Sequence, residues 1–315
     1  MQRSRSHDPA TALPLPSFIQ RAVDSLAQEL LRPRGSPAMD FTQPAGEPAL
    51  APHDSMSWQV FKNPVAMFVG GVAAVILELA EPRVRTGVWE HSTFRTRPMQ
   101  RLQRTGLAAM VTVYGARSVA EKMIAGVVRR HGEVAGHTPA GEPYAANDRA
   151  LLTWVQATAA FGFVQAYHAY VRPLRQDEFD RLYLEGAPAA RLYGALDAPT
   201  SQDEVSALFD RMRGRLEASP IVFEFLDIMS NAPILAAPLR PVQRLLVRAA
   251  VEITPVWVRE CLGLTRAHGA GAIEKRLVHW AGSFADRIVL RESPAAQACR
   301  RLGLPADYLY RRRSP

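Results

Sequence analysis

From Trp58 to about residue 303, apolar residues recur three and four positions apart, and prolines and glycines separate the periodic runs. That period matches one face of an α-helix, whereas a strand alternates every two residues, so the chain is expected to be helical throughout. The spacing predicts helices over 63–80, 98–113, 116–131, 148–170, 176–192, 201–216, 220–229, 241–253, 255–262, 271–289 and 295–302. Asn63-Pro64 and Thr254-Pro255 place proline in a first turn, where its missing N–H costs nothing. Alternating strand patterns and Asn-Gly or Asp-Gly hairpin turns are missing, and no repeat of 20 to 50 residues is visible. The fold expected is therefore all-α, one large helical domain over 58–303. Ahead of it, residues 1–57 carry seven prolines from Pro14 to Pro52 around a short helix near 17–31, and read as an extended arm. Residues 304–315 read as a basic tail.

The longest apolar run, Val65 to Ala80, is interrupted by Glu78 and followed by Pro82. It is too short to span a bilayer and reads as a buried core helix. The first 16 residues lack the apolar stretch of a secretory signal, so a cytoplasmic location without a transmembrane segment is expected. The net charge of +8 raises the question of nucleic acid. Only Lys62, Lys122 and Lys275 among the 38 basic residues are lysines, and the arginines are spread from Arg3 to Arg313 with no groove-forming cluster. No nucleic-acid partner is expected, since no recognition motif accompanies the charge. A guanidinium fork grips carboxylates, so abundant arginine also suits an acidic small molecule. Two cysteines, Cys261 and Cys299, cannot build a disulfide framework or a four-cysteine zinc site. Nucleophile elbows, zincin motifs, diiron Glu-x-x-His pairs and nucleotide loops are missing too, which disfavours ordinary hydrolases and nucleotide enzymes.

Three segments could carry chemistry. Arg101, Arg104 and Thr105 fall at i, i+3 and i+4, so two guanidinium groups and a hydroxyl share about one turn. They are either a solvated face or a site that requires an anion between the cations, since buried like charges without one are costly. His131 ends a helix and follows Ile124, Val127 and Val128 on an apolar stripe. It is either a hydrogen-bonded core histidine or an axial ligand for a flat metallocofactor. Trp154, Ala157, Thr158 and Phe161 form one face, open to a reading as helix packing, with Gln156 on another.

Order and spacing add a further constraint. Glu81-Pro82-Arg83-Val84, Gly87-Val88, His91-Ser92, Arg101-Leu102-Gln103-Arg104-Thr105, His131-Gly132-Glu133-Val134-Ala135-Gly136, Tyr144-Ala145-Ala146-Asn147-Asp148 and Leu152-Thr153-Trp154-Val155 with Ala157-Thr158 together resemble the oxygenase family of rubber oxygenase and the mpaB-type ER-bound oxygenase. The resemblance extends through Pro255, Val258-Arg259-Glu260 and Arg300-Arg301-Leu302-Gly303. It implies a partly globin-like helical fold holding haem b, with iron as the metal and His131 as its ligand. It implies that Arg101, Arg104 and Thr105 form the polar catalytic cluster, and that Arg101, Arg104, Trp154 and Thr158 help to bind the cofactor. The activity implied is a haem-dependent oxygenase (an oxidoreductase) using O2 on a hydrophobic, unsaturated small molecule. The alternative is a haem-free, inactive protein of the same fold that binds an apolar ligand or partner, because Glu81 and Gln156 stand where many relatives have histidine.

Overall fold

The computed structural model describes residues 11–13 and 39–311; the helix expected near 17–31 and the end of the tail lie outside them. The described residues form a single all-α domain, 64% helical, with one two-stranded hairpin. In chain order the α-helices are α1 (Met56–Phe61), α2 (Pro64–Ala80), α3 (Pro82–His91), α4 (Pro98–Tyr114), α5 (Arg117–His131), α6 (Arg149–Tyr170), α7 (Gln176–Tyr193), α8 (Gln202–Met212), α9 (Pro220–Asn231), α10 (Arg240–Ile253), α11 (Val256–Cys261), α12 (Ala272–Ala285) and α13 (Pro294–Arg301). Between α5 and α6 lie β1 (Ala135–His137) and β2 (Pro143–Ala145), antiparallel with Gly136 opposite Tyr144.

Two apolar helices, α2 and α6, cross at the centre. Their approach depends on Gly70 and Gly162: a Cβ on Gly162 would lie 2.4 Å from the Gly70 carbonyl oxygen, and one on Gly70 would lie 2.7 Å from Phe163 Cα. Small residues there let the backbones touch, and α7 to α12 complete the first core around them, with Val69, Leu77, Trp154, Tyr167, Phe225 and Val251 buried. Asn63 caps α2, its Oδ1 accepting from the N–H groups of Val65 and Ala66 at 3.0 Å, as short polar side chains do at orphan helix donors. Beside it Lys62 and Asp286 form a buried ion pair at 3.0 Å, and the Tyr167 hydroxyl donates to Asp286 at 3.2 Å. Burial pulls the Lys62 ammonium below its ordinary range, with Asp286 opposing.

A second core gathers Phe41, Ala49, Leu50 and Ala51 from the proline-rich stretch, Trp58, the Val111 and Tyr114 face of α4, Ile124 of α5, and Ala298, Cys299, Leu309 and Tyr310. Arg301 ties it shut, donating to the carbonyls of Phe41 and Glu47 at 2.8 Å. No single helix among the described residues is long and apolar enough to cross a membrane; α2 and α3, which pass such a test only together, are bent by 111°.

Candidate functional site

While most of α2 is buried, Phe68, Gly71, Val75 and Glu78 are only half-buried, at spacings of three, four and three. That pattern is one stripe of the helix, which the core covers only in part. On α6 the half-buried residues Gln156, Ala160 and Phe163 form a matching stripe. The two stripes meet where a Cβ on Gly71 would touch the Phe163 ring at 3.9 Å, and Phe61 closes against Phe163 at 4.6 Å between ring centroids. The joined stripes are thus apolar where Phe61 and Phe163 meet and carry a carboxyl further along α2, at Glu78.

Glu78 keeps some open surface yet lies deep in the molecule. Burial pushes its carboxyl up to about 7, and the Arg101 guanidinium opposes that push without reversing it. Arg101, on α4, is in turn pulled down by burial, supported by Glu78 and opposed by Arg104. The two charges do not close an ion pair; Arg101 Nη1 donates to Thr105 Oγ1 one turn on, and that hydroxyl donates to the Arg101 carbonyl at 2.9 Å. The anion that a deep arginine requires is therefore present, but held at a distance.

His131 completes the cluster from the end of α5. Its Nδ1 is buried and has no hydrogen-bond partner among the described residues. Burial lowers its affinity for a proton first, then the nearby positive charges of Arg101 and Arg130. The imidazole is accordingly neutral at pH 7, with an electron pair free to bind. The turn after His131 is pinned from the next segment: Asn147 Nδ2 donates to the Val128 carbonyl at 3.1 Å, and Ala146 N–H to the Val134 carbonyl at 2.9 Å. Gly136 lies under the Tyr144 ring, where a Cβ would be 2.8 Å from its hydroxyl, and that hydroxyl meets His91 Nε2 at 3.1 Å.

The structure brings Arg101, Thr105 and His131 together, and the sequence reading missed Glu78. Its signal was available, as the one charged residue inside the apolar run from Val65 to Ala80. Arg104 and Thr105 are both exposed, and although the charge of Arg104 is felt at Arg101, the two guanidinium groups expected to converge do not share a buried face. Trp154 and Thr158 do not reach the cluster either. Both are fully buried; Trp154 packs on Phe209 of α8 at 5.0 Å, and the Thr158 hydroxyl donates back to the Trp154 and Val155 carbonyls. Two residues along a helix turns a side chain to the far side, so they face away from the Gln156 stripe. Glu81 has a local task, its carboxylate capping α3 through Val84 N–H at 2.8 Å and holding Arg83 at 2.7 Å.

This is an all-α domain in which a neutral histidine, its buried Nδ1 unpartnered among the described residues, stands beside Arg101. Residues 58–284 match the family described as ER-bound oxygenase mpaB/B'/Rubber oxygenase, catalytic domain. The chain belongs to that family of oxygenase catalytic domains, and the matched span runs from α1 through most of α12. No curated protein and no solved structure matches it.

Proposed function

We propose that this chain is a haem-b-dependent oxygenase acting with O2 on a hydrophobic, unsaturated small molecule. The observation that carries the reading is the buried, unpartnered Nδ1 of His131 beside Arg101, in a member of an oxygenase family. The residues fit the group: one neutral imidazole suffices to hold haem iron, and a guanidinium within the same cluster would suit a carboxylate of the cofactor. His131 would hold the iron, and Arg101 with Thr105 would supply donors. When bound, the haem provides the activation of O2 that no side chain can supply.

The remaining work falls to the chain. Phe68, Val75 and Phe163 present an apolar stripe on which a hydrocarbon would pack. Glu78, raised to about 7, holds a proton on its carboxyl in part of the population at neutral pH, so it can give or take one beside Arg101. Protein made with a haem precursor should show a Soret band, take up O2 with an unsaturated hydrocarbon, and carry label from 18O2 into the product. His131→Ala should lose the band. Full haem loading in that variant would sink the assignment of His131, and a colourless wild-type protein would favour the haem-free alternative.

A further inference from the structure

Four large apolar side chains of α12 stand in solvent: Ile273 is 73% exposed, Leu277 53%, Trp280 68% and Phe284 43%. Spacings of four, three and four align them along one stripe of three turns, roughly 17 Å long. Trp280 and Phe284 stack on each other, 5.6 Å apart and nearly parallel. The helix cannot roll to hide them, because its other face is fixed. Val278 and Gly282 are buried, and a Cβ on Gly282 would lie 2.1 Å from the Tyr170 carbonyl oxygen. Asn63 Nδ2 donates to the Gly282 carbonyl at 2.9 Å, and Ser283 Oγ to the Val171 carbonyl at 2.7 Å.

The charges around the stripe have one sign. Glu274 is turned away to Arg248 at 3.0 Å and to the Gly271 N–H at 2.7 Å, while Asp286, just past the helix, is buried against Lys62. Lys275 is held by Glu252 at 3.1 Å. What borders the stripe on its open edge is exposed Arg276 and Arg287, with exposed His279 a further step round. Arg287 gives its Nε to the Thr11 carbonyl, a neutral acceptor that leaves the positive charge in place.

We propose that α12 is a membrane-surface face whose partner is an anionic lipid bilayer. The stripe enters the headgroup region, and Arg276 and Arg287 meet lipid phosphates. An in-plane helix with a central tryptophan and cationic edge is the arrangement an interface selects. A second copy of the chain fits less well: the four side chains offer roughly 400 to 500 Å², short of the ~800 Å² per partner of a stable protein interface. Attachment of this kind requires no spanning helix.

Vesicle flotation of the full chain tests it, comparing phosphatidylcholine with a mixture containing about 30% phosphatidylserine, at low salt and at ~0.5 M salt. The chain should float with the anionic vesicles, and at least tenfold less with neutral ones or at high salt. Trp280→Glu and Leu277→Glu should each cut binding at least tenfold with an unchanged melting curve, and Arg276→Gln should cut it about fivefold. Either of two kinds of result, failure of the vesicle arm or a dimer in its place, would overturn the proposal. One is absence of flotation with anionic vesicles, or flotation of Trp280→Glu equal to wild type. The other is a wild-type dimer in light scattering that Trp280→Glu converts to monomer without any vesicle binding, which would give the face to a second copy.

Discussion

Replacing Glu78 with Gln should stabilise the haem-free protein above pH 7 and leave it nearly unchanged near pH 4.5. In the unfolded chain this carboxyl titrates at an ordinary 4.5, whereas burial raises it to about 7 in the fold. Between those values the folded state keeps a proton that the unfolded state has lost, so stability falls as pH rises and levels off above about 7. A difference of about 2.5 at roughly 1.4 kcal/mol per pH unit amounts to about 3 kcal/mol, the cost of ionising Glu78 in place. Glutamine titrates in neither state and has nearly the same volume, so it escapes that cost. Urea denaturation of both proteins at pH 5, 6, 7 and 8 should show the gap opening with pH toward about 3 kcal/mol in favour of the Glu78→Gln variant. Removing the opposing cation with Arg101→Met should raise the Glu78 pKa further and shift the levelling of that gap to higher pH. A pH-independent gap, or one that favours the wild type at pH 8, would mean that Arg101 pairs with the carboxylate strongly enough to overcome burial, and Glu78 would not be a proton-holding group at neutral pH.

Three further outcomes are expected. Arg101→Met should lower haem retention severalfold while Arg104→Met changes it little, because only Arg101 is deep; pyridine haemochrome assays of both read this directly. Asp286→Ala should cost about 3–5 kcal/mol in chemical denaturation, since it leaves the Lys62 ammonium buried without its partner. Gly162→Val should prevent native packing of α2 on α6, seen as loss of a cooperative melt, because even its Cβ would collide with the Gly70 carbonyl.

The long helices were legible because their apolar stripes face real cores, and each expected helix from 63–80 to 295–302 has a counterpart within a few residues. Two departures have local causes. Pro82 was read as a stop, but Glu81 caps the next helix and Pro82 begins it, so α3 follows immediately. The helix expected to run to 289 ends at Ala285 because Asp286 is captured by Lys62, a contact 224 residues away that no local pattern encodes. The hairpin of β1 and β2 escaped because three-residue strands show no alternation. At the site, helical spacing pointed to Arg101, Thr105 and His131. It could not separate Arg101 from Arg104, since a three-residue step leaves the two side chains only about 60° apart around the axis and tertiary packing alone decides which one is covered. The burial of Trp154 and Thr158 in the first core was open in the sequence as helix packing, and Glu78 reads as an interruption until α4 is set opposite it.

The second core also bears on the order in which the chain can become native. Phe41 hands its carbonyl to Arg301 across 260 residues, and the Val111 and Tyr114 face of α4 is covered from both sides of that closure. During synthesis α4 and α5 leave the ribosome long before α13 exists, so their apolar faces wait uncovered while roughly 180 residues are added, a matter of about ten to forty seconds at usual elongation rates. The α4–α5 face is thus closed fully only when Ala298, Cys299, Leu309 and Tyr310 arrive over it.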